Sequence, residues 1–224
     1  MDPLALLALA TAAFLGTHLA SSTPLRAALV ARLGEWPYRG LYSAVAFVTL
    51  AWMIWAYADA PRESLLWTPL RYAPLFAMPL AFVLLACGYW RNPTLVGAER
   101  LLRSDDPARG MIRITRHPIM WAIILWSAAH IVARGDAKSL LFFGGFLALA
   151  VLGSVSLDRR KARTAGADWK RFAAATSHVP FVAVAQGRNR IAWREIGWLR
   201  PLAGLALYAA FFALHPWLFG ARPY

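Results

Sequence analysis

Residues 139–157 read SLLFFGGFLALAVLGSVSL, a run of nineteen residues without a charged side chain. A helix needs roughly 20 mostly apolar residues to cross the hydrocarbon core of a bilayer, so this run predicts a transmembrane helix. Five further stretches have the same character: Leu4–Leu19, Leu41–Ala58, Leu70–Trp90, Pro118–Ala133 and Leu202–Phe219. The sequence therefore predicts an all-α, polytopic membrane helical bundle with about six transmembrane helices, formed as a single domain by residues 1–224.

Composition supports a membrane protein and argues against a nucleic-acid binder. The chain is 59% hydrophobic and only 16% charged, whereas soluble domains carry about 25% charged residues. The net charge of +13 and the eleven Trp residues would suit nucleic acid. However, the positive charge lies between the apolar runs, which is where membrane proteins carry it. The single cysteine, Cys87, lies inside an apolar run, which excludes a disulfide framework and a cysteine-based zinc site.

The distribution of Lys and Arg predicts the orientation of the chain. Nineteen of the 24 such residues lie in three alternate loops, which follow the first, third and fifth predicted helices. The other five are Arg62, Arg71, Arg134, Lys138 and Arg222. Because cytoplasmic loops carry the excess of basic residues, this asymmetry predicts cytoplasmic placement of those three loops and periplasmic placement of both termini. Met1–Ala20 contains no Lys or Arg, so we interpret it as a retained helix and not as a signal peptide.

Two loop segments are predicted to interact with the bundle or the membrane surface. Residues 25–33 alternate Leu and Val with Arg26 and Arg32, which is typical of an amphipathic helix lying along the cytoplasmic surface. Loop 5–6 is about forty residues long, and residues 179–185 within it are too apolar for a simple linker. We expect this part of the loop to fold back onto the bundle.

Histidines are the main candidates for chemistry, because ionisable groups at membrane depth are costly and tend to be functional. A neutral imidazole is also a common metal ligand. His18 lies late in the first predicted helix, and His130 lies in the fourth. His117 opens the fourth helix, thirteen residues before His130, which places the two about 140° apart around the helix axis. For each of them, a hydrogen-bonded contact between helices is the structural alternative.

Arg116-His117-Pro118 forms a second candidate site at a helix start. Proline suits the first helical position, and an exposed helix N-terminus beside an arginine suits an anion. A helix cap explains the same three residues equally well. His178, in loop 5–6, has the least support. The spans contain no paired carboxylates, GxSxG, P-loop or CxxC motif, since Asp136 and Asp158 only border helices. Hydrolytic enzymes and proton-relay transporters, which need such groups, are therefore disfavoured.

Three spaced groups of residues carry a resemblance to a known family. They are Thr17–Ser22 with Arg26 and Arg39–Ser43; Thr115–Pro118 with Leu125–Trp126, Ala129–His130 and Gly135–Asp136; and Asp158–Lys161 with Gly166, Trp169 and Thr176–Phe181. Together they resemble the NnrU family of bacterial membrane proteins, whose relatives include the 15-cis-zeta-carotene isomerase of plants and cyanobacteria. The resemblance extends over nearly the whole chain to about residue 190.

The resemblance implies a b-type haem held between helices, with His18 and His130 as iron ligands. In the isomerase branch a cysteine that serves as alternative ligand stands at the position of Ser127, so an exchange of His for Cys has no basis in this sequence. His18 with His117 is the second assignment, because these two match better in membrane depth. Arg116 and the helix N-terminus beside it are expected to pair with a haem propionate, which suits the planar guanidinium.

The sequence is compatible with three functions. The first is a haem-binding protein of the bacterial inner membrane, acting in a redox or nitric-oxide-linked role related to denitrification, or as a haem-dependent cis–trans isomerase of a polyene from the bilayer. The second is a methyltransferase, since isoprenylcysteine methyltransferases share the Arg-His-Pro signature; His117, Asp158 and Trp169 would line its cofactor pocket. The third is a non-catalytic assembly factor for nitrite or nitric oxide reductases. Whether the chain is an enzyme, and its oligomeric state, are open as well.

Overall fold

Helices form the whole of the regular structure in the computed structural model, which describes residues 1–61 and 65–223. Within these residues there is no β-strand, and nine α-helices follow one another. In chain order they are α1 (Pro3–Ala20), α2 (Pro24–Leu33), α3 (Glu35–Asp59), α4 (Ala73–Gly88), α5 (Pro118–Arg134), α6 (Ala137–Ala175), α7 (Val182–Ala185), α8 (Trp193–Ile196) and α9 (Leu199–Phe219). Two short 3-10 helices, Glu99–Arg103 and Gly110–Arg113, lie between α4 and α5. The predicted all-α class is confirmed.

Four helices of the described chain, α1, α3, α6 and α9, are long and apolar enough to cross a membrane. The apolar helices α4 and α5 have 16 and 17 residues, at the short end of what spans a bilayer. All six predicted stretches thus coincide with apolar helices, and the fold is that of a multi-pass membrane protein. The count of six spans stays a prediction, as does the orientation. Arg62, one of the basic residues counted for the orientation, lies outside the described residues.

Local sequence signals explain where several helices begin. The side chain of Asp2 accepts a hydrogen bond of 3.1 Å from the amide of Ala5, and Pro3 follows as the first residue of α1. These are the preferred residues at an N-cap and at the first helical position. Pro118 opens α5 in the same way. Helix α2 coincides with the predicted amphipathic stretch and has no buried residue.

Helix α6 is much longer than the sequence predicts. The apolar run ends at Leu157, but the helix continues to Ala175, with one interruption at Gly166, where φ is 50° and ψ is −120°. The charged residues that follow Leu157 end the apolar run without ending the helix, because Arg, Lys and Ala all have high helix propensity. After α6 the chain folds back, as expected for this apolar part of the loop. The amide of Phe181 donates to the carbonyl of Ile114, and Ala183 is fully buried.

The described chain divides into two compact units, each built from two separate segments. Unit 1 comprises residues 1–73 and 127–156, and unit 2 comprises residues 74–126 and 157–224. Glycines allow close helix packing inside each unit. A Cβ atom on Gly145 of α6 would lie 2.7 Å from the side chain of Thr11, and one on Gly204 of α9 would lie 2.7 Å from the carbonyl oxygen of Phe82. The single domain of residues 1–224 remains a prediction.

Candidate functional sites

His18 of unit 1 is held by its own helix in an orientation that suits a metal ligand. Its Nδ1 lies 2.7 Å from the carbonyl oxygen of Phe14, one turn earlier in α1. A carbonyl oxygen only accepts hydrogen bonds, so Nδ1 carries the hydrogen, and in the neutral ring the lone pair is then on Nε2. Metal-binding histidines are commonly fixed by such a bond from the nitrogen that does not bind the metal.

His130 lies in the same unit as His18, and a series of phenylalanine rings connects the two. The ring contacts run through four side chains, in the order Phe14, Phe146, Phe142 and Phe143. The ring centroids of His18 and Phe14 are 4.2 Å apart, and those of His130 and Phe143 are 4.9 Å apart. His18 lies four residues after Phe14 in α1, and Phe146 lies three residues after Phe143 in α6. At a rise of 1.5 Å per residue, these seven residues offset the two imidazoles by about 10 Å along the helices. The two predicted iron ligands therefore lie at the two ends of one aromatic cluster.

Two buried hydroxyl groups of unit 1 have no hydrogen-bond partner in the described part of the chain, Ser127 Oγ and Thr11 Oγ1. Ser127 lies one helical turn before His130 and is fully buried. A buried polar group without a partner costs about 1–3 kcal/mol, so these two hydroxyls call for an explanation. They lie in the same unit as His18 and the aromatic cluster, which makes this part of unit 1 the candidate site for a bound group.

A haem makes a smaller demand on protein side chains than a bound metal ion does. Within residues 1–61 and 65–223, no group of three or more His, Cys, Asp or Glu side chains is arranged to hold a metal ion. Haem iron takes four ligands from the porphyrin and needs only one or two from the protein, so His18 alone or a pair of histidines is sufficient. Because the two imidazoles are offset by about 10 Å, His18 and His130 can bind one iron together only if the helices shift.

Unit 2 contains a network of charged groups around Asp158. His117 Nε2 donates to Asp158 Oδ1 at 2.6 Å, and Arg116 donates to Oδ2 from Nε at 2.8 Å and from Nη2 at 2.7 Å. His117 is only 2% exposed, and its Nδ1 has no hydrogen-bond partner within the described chain. The Arg-His-Pro motif is thus more than a helix cap, because both of its polar side chains bind a carboxylate contributed by another helix.

The chain segment after α6 fixes this network from one side. The amide of Arg116 donates to the carbonyl of Ser177, and the hydroxyl of Thr115 and the indole of Trp121 both donate to the carbonyl of His178. The rings of His117 and His178 have centroids 5.3 Å apart. Burial, followed by the electrostatic interaction with His117, lowers the pKa of the His178 side chain below its ordinary value.

Among the histidines, His178 had the least support from the sequence. Its position in a long polar loop carried no signal of its own, and only its place inside the Thr176–Phe181 group pointed to it. Trp169, expected to line a methyltransferase cofactor pocket, packs instead in a buried apolar cluster with Leu102 and Phe172.

Two cavities open onto the surface of unit 2. An apolar cavity of about 430 Å³ is lined by residues that include Leu84, Ile114, Trp121, Leu125, Phe181 and Trp198. A more open, polar cavity of about 540 Å³ is lined by residues that include Arg116, Thr176, Ser177, His178 and Arg188.

The structure brings some of the predicted site residues together and assigns others to different units. His18 and His130 belong to unit 1, whereas Arg116 and His117 belong to unit 2. The iron ligands, both as His18 with His130 and as His18 with His117, remain predictions. Arg116 already binds Asp158, so a bond to a haem propionate would require it to exchange partners or to use its remaining donors.

The fold and the candidate site define the class of protein. It is an all-helical, multi-pass membrane protein with a histidine at each end of a buried aromatic cluster. Within that class, the chain belongs to the NnrU protein family, whose pattern it matches over residues 6–223. The predicted resemblance is confirmed.

Two curated relatives share sequence with this chain. It is 34% identical over 115 residues to the chloroplastic 15-cis-zeta-carotene isomerase of Arabidopsis thaliana, covering 50% of this chain and 31% of the relative. It is 26% identical over 173 residues to the enzyme of the same name from Zea mays, covering 71% of this chain and 45% of the relative. The chain therefore spans less than half the length of these relatives. No solved structure matches it significantly.

Proposed function

We propose that this protein binds haem b through His18 and His130 and changes the cis–trans configuration of a polyene lipid. The hydrogen bond from His18 Nδ1 to the Phe14 carbonyl carries the proposal, because it leaves Nε2 as the ligand atom beside an aromatic cluster. The names of the two relatives support the reaction class. A cis–trans isomerisation neither adds nor removes atoms, so it needs no hydrolytic residues.

The residues of unit 1 have separate roles in this proposal. Haem iron, when bound, would supply an electrophilic and redox-active centre. His18 and His130 would hold it after a helix shift that brings the two imidazoles together, and the phenylalanine rings beside them would form an apolar surface that excludes water. A polyene dissolved in the bilayer would reach this surface laterally. Arg116 and His117 are assigned no step in the isomerisation.

The first experiment is an absorption spectrum of the detergent-purified protein, oxidised and then reduced with dithionite, after expression with ample haem precursor. We expect a Soret band and sharp reduced α and β bands. His18→Ala and His130→Ala should each lose these bands. His215→Ala is the matched control, because His215 lies in α9 and bonds to the Ala221 carbonyl, outside the cluster. Retention of the full spectrum by both variants would exclude these ligands.

The second experiment measures the reaction. Purified protein in lipid vesicles is incubated with 15-cis-zeta-carotene under reducing conditions, and chromatography separates the isomers. Loss of the 15-cis isomer with wild type, and no loss with His18→Ala, is the expected result. A haem-loaded protein that leaves the isomer unchanged would refute isomerisation of this polyene and favour a redox or nitric-oxide-linked role. A colourless protein would refute the haem site and favour the methyltransferase and assembly-factor alternatives.

We also propose the inner membrane of a bacterium as the location, with both termini on the periplasmic side. The distribution of basic residues supports it. Alkaline phosphatase, which is active only outside the cytoplasm, fused after the C-terminus should be active in cells. An inactive phosphatase together with a fluorescent C-terminal green fluorescent protein fusion would reverse the orientation.

A further inference from the structure

A single stretch of chain, residues 177–182, separates the two cavities of unit 2. Pro180 and Phe181 line the apolar cavity, whereas His178, Val179 and Val182 line the polar one. The side chain of Trp121, part of the apolar lining, also donates its indole hydrogen to the His178 carbonyl at 2.8 Å. The apolar and the polar cavity are therefore neighbours, with one layer of chain between them.

The apolar cavity has the size and lining of a site for a hydrocarbon chain. None of its lining residues is charged, and three of them are tryptophans, Trp121, Trp193 and Trp198. A methylene group needs about as much space as one water molecule in the liquid, roughly 30 Å³. The volume of about 430 Å³ thus has room for about fourteen methylene groups. This is within the size range of ordinary ligand sites.

Two arginines line the polar cavity, and one of them, Arg116, is already paired with the carboxylate of Asp158. The other is Arg188. The guanidinium of Arg188 is fixed by bonds from Nη1 to the carbonyls of Ala174, at 2.6 Å, and Thr176, at 2.9 Å. The carbonyl of Thr176 also accepts from Arg116 at 3.3 Å. Arg188 Nε donates to Gln186, and Arg116 donates to Asp158 from Nε and Nη2, so the donor group left over is mainly Nη2 of Arg188. A guanidinium group binds carboxylates and phosphates well.

The segment that separates the two cavities, residues 177–182, has an unusual backbone conformation at one residue. Phe181 has a φ of 66°, in the left-handed region that bulky side chains rarely adopt. Its amide donates to the Ile114 carbonyl at 2.9 Å, and the Ser177 carbonyl accepts from the Arg116 amide at 2.9 Å, so the segment is fixed near both ends. Residues in such conformations concentrate at ligand-binding segments.

We propose that unit 2 is a binding site for an anionic amphiphile, an acyl or isoprenoid chain that ends in a phosphate or carboxylate. The chain occupies the apolar cavity and crosses the exposed side chains of Val179 and Phe181, and the anionic group binds Arg188 in the polar one. A hydrocarbon polyene has no group for this arginine, so this ligand is distinct from the substrate proposed above. The site does not depend on haem, because none of its residues is a proposed iron ligand.

Native mass spectrometry of the full-length, detergent-purified protein tests the proposal by counting bound molecules. The probes are farnesyl phosphate, its neutral counterpart farnesol, inorganic phosphate, and the phospholipids dioleoylphosphatidylglycerol and dioleoylphosphatidylcholine. We expect farnesyl phosphate or the anionic phospholipid to be retained at least tenfold more than its uncharged or zwitterionic counterpart. Retention of farnesyl phosphate alone assigns the site to a free isoprenoid phosphate, and retention of phosphatidylglycerol alone assigns it to a membrane lipid.

Two outcomes with the wild-type protein overturn the proposal. One is retention of neither anionic amphiphile above its counterpart. The other is binding of inorganic phosphate as strong as that of farnesyl phosphate, since the chain would then contribute nothing. These comparisons use one protein and so do not depend on how any variant folds.

Substitutions with matched controls locate the site. Arg188→Gln removes the charge from the polar cavity, and Leu125→Trp fills the apolar one; each should lower retention of the anionic amphiphile about tenfold. Arg190→Gln and Ile124→Trp make the same changes at neighbouring positions that line neither cavity, and should change retention less than twofold. Correctly folded Arg188→Gln and Leu125→Trp variants that bind like wild type would overturn the proposal.

Discussion

Gly204 offers a direct test of helix packing in unit 2. A Cβ atom at this position would lie 2.7 Å from the carbonyl oxygen of Phe82 and 2.9 Å from the Cα of Val83. Both are backbone atoms of α4, which cannot rotate away as a side chain does. Since ordinary contacts lie near 3.5–4.0 Å, α9 and α4 would have to separate by about 0.8 Å. Overpacking of this kind costs about 2 kcal/mol, so Gly204→Ala should destabilise the protein by that amount.

The matched control is Gly144→Ala in α6, where an added Cβ meets nothing within 4 Å. Alanine is the better helix former, so this variant should gain up to about 1 kcal/mol. Thermal unfolding in detergent, followed by circular dichroism, measures both. With about 3 °C per kcal/mol for a chain of this length, Gly204→Ala should melt about 6 °C lower than wild type and Gly144→Ala no lower. A Gly204→Ala variant that melts at or above the wild-type temperature would refute the close approach of α4 and α9.

Three further predictions concern unit 2. Asp158→Asn leaves the guanidinium of Arg116 without its carboxylate and should cost about 3 kcal/mol in chemical unfolding, whereas Asp168→Asn, at an exposed ion pair, should cost less than about 1 kcal/mol. Equal costs would contradict the buried network. The hydrogen bond from Arg113 lowers the pKa of Glu195 from 4.5 to about 2. Its contribution to stability is therefore complete above pH 4.5 and is lost as the pH falls towards 2. The difference in melting temperature between wild type and Glu195→Gln should shrink over that range, and a constant difference would show that the carboxylate charge is not responsible. Phe181→Gly should be more stable than Phe181→Ala by about 1 kcal/mol in thermal unfolding, because only glycine tolerates a φ of 66° without strain; the reverse order would contradict this backbone conformation.

The spans were predictable from the sequence because each is a local signal. Runs such as Leu41–Ala58 and Leu202–Phe219 need only be apolar and long enough, and both lie inside helices of the structure. The far end of α6 was not predictable in this way. Hydropathy identifies helices that contact lipid. The last eighteen residues of α6 are rich in charge, so hydropathy does not show that they continue the helix.

The candidate sites were predictable only in part. His18, His117 and His130 stood out as ionisable groups near apolar runs. The partners of these residues did not, because contacts such as that of His117 with Asp158 join residues 41 positions apart. A periodic pattern identifies one face of a helix and does not say which distant segment covers it. Asp158 was grouped with His117 only through the methyltransferase resemblance, and its ion pair with Arg116 was not predicted.

The discontinuous units have a consequence for biosynthesis. Helix α4 belongs to a unit that also needs residues 157–224, so its contact with Gly204 forms only after more than a hundred further residues have been made. At about 5–20 residues per second, α4 waits roughly 6–25 seconds after its own synthesis for that partner. During this interval the insertion machinery or surrounding lipid must shelter the face of α4 that later packs against α9, and membrane proteases would meet that face uncovered. Ribosomes stalled before residue 200 should therefore yield nascent chains that are degraded rapidly.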